Sequence, residues 1–293
     1  MKIRYLFILC ISLIVIFGCT KHSKGKLSDN TIGGENMDDQ VFIERQISYM
    51  DEIIKMHDTI KDIHISLEKL YPITVINNGY FFIFDINEFG NKYEFKLKVE
   101  TPMPISGEIL AAFPLDSYDT KPSAAISNRI LENKDNYVFI FHEFVHCFQM
   151  ENGEFDIRKE LLIEKQEMVK NNYSWELNFP FPFRSEHFVN KTIELSDFIK
   201  NGDYENVVKY HTDMKLYLSE IEFEYMIWQE WKEGFARYIE NLIRHRIGLQ
   251  PNENILQPPF DRVHFYEIGS KYIEMLISRH GELEIVEIYN RMN

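Results

Sequence analysis

His142-Glu143-Phe144-Val145-His146 sets two imidazoles four residues apart, with a carboxylate directly after the first. On a helix that spacing stacks both rings on one face, where they can converge on a single metal ion. Glu143 then falls about 100° round the helix from His142, beside the ion rather than on it, placed to take a proton from a metal-activated water. Zinc suits such a donor set, since it accepts nitrogen and oxygen ligands, needs three from the protein and keeps a fourth position for water. The surrounding residues, 137–149, are otherwise mostly apolar and aromatic. Two histidines and a glutamate are costly on a hydrophobic helix unless they find partners, so their presence there argues for a bound cation. Asp135 or Asn136 is the expected cap at the start of this helix, and Asn152-Gly153 its stop.

A third ligand must come from elsewhere. Glu164 and Glu167 are nearer in sequence, whereas Glu233 is followed by Gly234 and Ala236, small residues that let a helix approach a partner closely. On their own, Glu230, Glu233, Arg237 and Glu240 also fit an ordinary charged helix face. Residues 142–146 form the His-Glu-x-x-His pattern of metalloproteases. Gln149 and Asn152 stand where the metzincin class has Gly and His, which excludes that class. Trp231-Lys232-Glu233-Gly234-Phe235-Ala236 resembles the third-ligand segment of the gluzincins, the thermolysin-like clan. The zinc aminopeptidase branch writes that segment Trp-x-x-Glu-Gly-Phe-Ala, one residue longer after the Trp. Glu240 matches an acidic residue seven places on in the same branch. Tyr266-Glu267-Ile268-Gly269 is similar to the aminopeptidase Tyr-x-Lys-Gly segment, with Ile268 in place of Lys.

This resemblance, carried by three separated segments, implies Glu233 as third ligand and Glu143 as general base. It implies Tyr266 as the hydroxyl that stabilises the oxyanion, with His264 as the other group in reach of that role. It further implies one Zn2+ per chain, a zincin-like fold and hydrolysis of peptide or protein substrates. The Gly-x-Met-Glu-Asn segment of the aminopeptidases is absent, so endopeptidase and exopeptidase action both stay open. Two other functions also stay open. One is a non-catalytic surface lipoprotein whose metal site is structural or vestigial, closed by a fourth ligand such as His211 or Glu230. The other is a hydrolase of non-peptide substrates.

The elements that must position these groups follow from periodicity. Apolar side chains repeat at steps of three and four from Phe42 to Leu67, predicting one helix over 41–70 that stops before Pro72. Strands are predicted at 72–76 and 80–86 about the Asn77-Asn78-Gly79 turn, at 93–99 with one wet face, and at 108–113 and 123–130. By analogy with the gluzincins, the last is the sheet edge along which a peptide would lie. Helices are predicted at 137–150, 154–170, 191–200, 221–247 and 264–279. The chain therefore reads as α+β, with a small mixed or antiparallel sheet over the active-site helix. An N-terminal helix-and-sheet lobe occupies 41–130 and a helical zinc-binding lobe 131–293. Trp175, Phe179, Phe181 and Phe183, punctuated by two prolines, predict a loop sealed onto the core. Cys147 points off the metal face, as a buried structural thiol would.

With 293 residues, 45% of them hydrophobic, the chain can bury a sizeable core. Its 46 acidic and 32 basic side chains give a charge of −14, which repels phosphate backbones and argues against a nucleic-acid partner. Lys2 and Arg4 precede an apolar run over 5–17, too short to span a bilayer comfortably and fitting an export signal. Ile16-Phe17-Gly18-Cys19 resembles a bacterial lipobox, which implies a signal peptide at 1–18 and a lipid at Cys19 that anchors the protein in the cell envelope. An ordinary signal peptide and an uncleaved anchor stay open, and each of them exports the body. Residues 19–40 then serve as anchor point and flexible linker. Without residues 1–18, 30 basic side chains face 46 acidic ones, a charge of −16, and Cys147 is left with no partner for a disulfide.

Overall fold

Asn78 and Gly79 sit at φ 49° and 79°, the left-handed pair that a two-residue hairpin turn demands. They fold β1 (Ile73–Asn77) back onto β2 (Tyr80–Ile86), with Asn77 opposite Tyr80. The computed structural model describes residues 35–105 and 109–293; the expected signal peptide, Cys19 and the linker as far as residue 34 lie outside the described residues. β3 (Tyr93–Glu100), β4 (Leu110–Leu115) and β5 (Lys121–Ser127) complete a five-stranded sheet of order β3-β2-β1-β5-β4. β1 and β5 run parallel and every other pair is antiparallel, so the sheet is mixed and the chain α+β.

Two strand expectations need correction. β5 lies inside the sheet, flanked by β1 and β4, and the edge beside it is β4. Past Ser127 the chain leaves the sheet in a 3-10 turn, Asn128–Glu132, anchored by buried Leu131. β3 does not keep a single wet face, because a register shift opposite Ile83 and Phe84 divides its apolar residues. Tyr93 and Phe95 then join the main core, while Leu97 and Val99 pack on the other face with Phe81, Ile83 and Phe113.

The helices depart from their expected limits for local reasons. α1 (Glu35–Ile60) takes in residues 35–40, read from sequence as linker, and ends ten residues before position 70. A separate 3-10 turn, Ile65–Leu67, follows; His64 Nδ1 caps it by accepting from the Ser66 amide, and His57 Nε2 donates to the Leu67 carbonyl. Those side-chain bonds reward reversal of the chain over continuation of the helix. α2 (Tyr137–Gln149) starts at Asn136, which is itself helical and makes no cap bond; Asn133 caps the preceding turn instead. The expected 154–170 helix is split into a π-type turn, Met150–Glu154, then α3 (Phe155–Glu160) and α4 (Leu162–Val169), with Leu161 extended between them. α5 (Trp175–Asn178) is a single turn, and α6 (Glu186–Lys200) begins at the Ser185 cap. α7 (Tyr204–Tyr217) and α10 (Ile285–Met292) were not expected. α8 (Glu220–Arg246) and α9 (Arg262–His280) each open with a capping box. Among the described residues no helix is long and apolar enough to cross a membrane.

α2 is buried nearly all round, held between the inner face of the sheet at β4 and β5 and the flank of α8. The main core runs from Phe42 to Met292 and includes Trp175, Phe181 and Phe188 of the aromatic segment. α8 meets α9 backbone to backbone. A Cβ added at Gly234 would fall 2.7 Å from Gly269 Cα, and one added at Gly269 would fall 2.0 Å from the Glu230 carbonyl oxygen. α7 is fastened to α8 by His211, whose Nδ1 donates to Val207 O at 2.9 Å and whose Nε2 donates to Glu230 Oε2 at 2.7 Å. Both partners are pure acceptors, so the ring is a doubly protonated imidazolium. Burial opposes that charge, but Glu230 outweighs it and raises the histidine's pKa.

Gly269→Ala is expected to cost about 3 kcal/mol in chemical denaturation, because the α8–α9 backbones must separate to admit a methyl group. The His211 contribution is complete below the ordinary value of 6.5 and is lost as pH rises through the raised one. The stability gap between wild type and His211→Gln should therefore be wider at pH 6 than at pH 9.

Candidate metal centre

His142 and His146 project from α2 toward α8, with ring centroids 4.9 Å apart, and Glu233 comes from α8 to meet them. Glu233 Oε2 lies 3.8 Å from His142 Nε2 and 3.6 Å from His146 Nε2. These separations exceed a hydrogen bond, so the three atoms surround a gap rather than bond one another. Tetrahedral bonds of about 2.0–2.1 Å would put ligand atoms about 3.3 Å apart, so only a slight contraction would seat a zinc ion. All three residues are buried, and none of the three facing atoms has a hydrogen-bond partner.

The far side of each ring settles what its near side can do. His142 Nδ1 lies 3.0 Å from Glu240 Oε2; a carboxylate only accepts, so Nδ1 is the protonated nitrogen. Gln149 donates Nε2 to the Lys232 carbonyl at 3.0 Å, which turns its Oε1 toward His146 Nδ1 at 2.7 Å and makes that nitrogen a donor as well. Each Nε2 is therefore the nitrogen left facing the Glu233 carboxylate, with no hydrogen-bond partner of its own. A buried carboxylate between two such rings is tolerable only with positive charge in the gap, either a proton on a ring or a bound cation. Outer partners of this kind orient metal-binding histidines and raise their basicity.

The electrostatics agree. Burial works against charge at Glu233, yet the two imidazoles hold its carboxyl well below the usual carboxylate range. At Glu240 burial is again opposed, by the hydrogen bond from His142 and by Arg237 and Arg244, and the value falls to about 2. Arg244 Nε donates to Glu240 Oε1 at 2.7 Å, and Asn252 Nδ2 to the same oxygen at 2.8 Å. His142 is disfavoured as a cation by burial, but Glu233 and Glu240 on either side lift it to about 9, so the pocket demands positive charge. Glu143 is buried beside the trio with Oε2 unpartnered. Burial pushes it up to about 6, with His146 and His142 pulling the other way. That range suits a group that must accept and return a proton near neutrality.

Among the described residues, His142, His146 and Glu233 are the one group placed to share a metal, their ligand atoms within 4.8 Å of one another. Glu164 instead accepts from Trp175 Nε1 at 2.6 Å and from Arg158 Nε at 3.0 Å. Glu167 accepts from Lys170 at 2.6 Å and Asn172 at 2.7 Å. His211 and Glu230 bind each other and offer no fourth ligand. His264 pairs with Asp261 in the α9 capping box. Tyr266 is buried, its hydroxyl accepting from Arg262, and burial together with the Glu233 charge keeps that hydroxyl protonated. Cys147 is buried, and burial raises its thiol pKa well above the usual value.

Four further groups shape the site, and of these only Glu240 carries a sequence signal, its match to the resembling segment. Glu240 and Gln149 orient the rings, and Arg262 meets Tyr266. Lys232 is buried between Glu154 at 2.9 Å and Glu176 at 3.0 Å, which ties the chain after α2 to the turn beside Glu233. The spacing of Arg262 and Tyr266, four apart on one helix, is a second hint available beforehand. A groove of about 1050 Å3 lies elsewhere, along α9 at Tyr204, Pro251, Leu256 and Lys271. The trio itself is 1–2% exposed, so the site is closed in this conformation.

No protein-family model, curated protein or solved structure matches the chain.

Glu240→Gln keeps the shape of the side chain but weakens the acceptor for His142. Zinc affinity, read by competition with a chromogenic chelator, should fall about 10- to 100-fold.

Proposed function

We propose that this chain is a zinc-dependent peptidase of gluzincin type, with a zincin-like fold. The observation that carries the reading is the convergence of His142 Nε2, His146 Nε2 and Glu233 Oε2, three buried and unpartnered atoms, with both rings fixed from behind. Two nitrogens and one oxygen match zinc and disfavour calcium or magnesium, which take oxygen ligands. Three protein ligands without a fourth in reach correspond to a catalytic site rather than a closed structural one. That arrangement favours hydrolysis over the lipoprotein with a purely structural metal.

When bound, zinc would supply Lewis-acid polarisation of a carbonyl and acidify a water. Glu143 would take the proton released as the nucleophile attacks, hold it on the carboxylate oxygen that has no other partner, and return it to the leaving amine. Tyr266 would donate its hydroxyl hydrogen to the oxygen that gains charge, since its own acceptor position is filled by Arg262. β4, the sheet edge next to α2, offers main-chain partners along which an extended peptide would align. Export and a lipid at Cys19 belong to the same proposal and would place the activity in the cell envelope.

The test combines metal content with a silent substitution at the base. Wild type should hold one zinc per chain and cleave a quenched peptide library, and chelation should stop cleavage until zinc is restored. Glu143→Gln should keep the zinc and lose about 10²–10⁴-fold in rate. Retained hydrolysis in that variant, or a protein that takes up no zinc, would sink the reading. Cleavage of ester or glycan substrates alone would point to the non-peptide hydrolase.

A further inference from the structure

One charge beside the trio is answered by no ion pair among the described residues. Arg262 opens α9, is partly buried, and donates an N–H to the Tyr266 hydroxyl, with its Cζ 5.3 Å from that ring's centroid. Among the described residues it forms no ion pair, although the sequence holds 46 acidic side chains against 32 basic ones. Its neighbours fare differently. Arg158 reaches Glu164 and Glu176, and Arg237 and Arg244 both reach Glu240. Glu233 and Glu176 act on Arg262 only through space, and both are already committed, to the metal trio and to Lys232. A partly desolvated guanidinium with no counter-ion is costly, and the cost is recovered when a ligand brings the anion.

The placement of Arg262 follows from the close backbone contact between α8 and α9. Gly269 rests on the α8 backbone at Glu230 and Gly234, which sets Tyr266, one turn earlier on α9, beside Glu233. Arg262 is a further turn back on the same face. A guanidinium carries five N–H groups in a planar fork that fits a carboxylate, and Tyr266 takes up one of them. The helix turn that carries the rest of the fork is placed by the same contact that positions Tyr266.

Building on the hydrolase reading, we propose that Arg262 is a specificity-determining residue that binds a carboxylate of the substrate. Preferred substrates then carry a free carboxylate close to the bond that is cleaved. Its source is either the C-terminus of the peptide or an acidic side chain.

Two peptide libraries of one composition, one ending in a free acid and the other in an amide, test this. Zinc-loaded Glu143→Gln selects binders from each, wild type cleaves each, and mass spectrometry reads both. The free acids should be taken up about 10- to 100-fold better than the amides, as expected for hydrogen bonds to a charged group. If the acidic side chain is the source, the two libraries will serve equally, with Asp or Glu fixed at one position among the chosen peptides. Adding Arg262→Gln should abolish either preference, and Arg262→Lys should restore part of it, with melting temperature and zinc content checking that each variant is folded. Indifference to both kinds of carboxylate, no binding at all, or a preference that survives Arg262→Gln overturns the proposal. Cleavage without preference would leave the hydrolase standing and remove this role. Selective binding without cleavage would do the reverse.

Discussion

Three buried polar atoms that face one another in a dry interior, with no hydrogen bond between them, set the condition to which the rest of the molecule is fitted. Each of those atoms would be solvated in an unfolded chain, and here none is. The Glu233 carboxylate among them has to be answered by a positive charge, and the groups behind the two rings turn both Nε2 atoms toward it. Two helices from distant parts of the sequence must therefore be held in a fixed relation. α2 is held by apolar packing on every side, and α8 by the backbone contact of Gly234 with Gly269. Larger residues at that crossing would move Glu233 away from both rings.

The stretch of α8 from Glu230 to Glu240 carries an unusual load for a buried helix. Glu230, Lys232, Glu233, Arg237 and Glu240 are all buried, and each has its own set of partners: His211; Glu154 and Glu176; His142 and His146; Asn252 and Glu240; and His142 with two arginines. Buried ion pairs contribute little net stability, because desolvation offsets most of their attraction. Their value here is orientation. A helix held by apolar contacts alone could rotate or slide at small cost, whereas this one would strand a charge with any such movement.

The parts of this arrangement that depend on local spacing were legible in the sequence. The two rings and the carboxylate on α2 need nothing beyond a helix, and the Asn78-Gly79 turn announces its own hairpin. Glu233 with Gly234 was legible through its resemblance to a known segment. The outer partners were not, because they are set by pairing across the fold: Glu240 stands 98 residues from His142, and Gln149 reaches a carbonyl 83 residues away. α7 is readable in principle, with Val207, Tyr210, His211 and Met214 at helical spacing behind the Asp203 cap. Half of that stripe is polar-tipped and reads as surface. The 41–70 helix failed for the opposite reason, since its apolar period runs on past Ile60 while His57 and His64 bind the backbone of a different turn.

Gln149 couples two properties that are usually independent. Its amide takes its direction from a main-chain carbonyl one residue before Glu233, and that direction decides which nitrogen of His146 carries hydrogen. Advancing α8 by a single residue, a rise of about 1.5 Å, would displace the carboxylate and release the amide in one movement. The imidazole would then be free to rotate or to exchange tautomers. The position of the Glu233 carboxylate and the tautomer of His146 thus behave as an interlock, so the pocket should appear fully assembled or not at all, with few half-built states between.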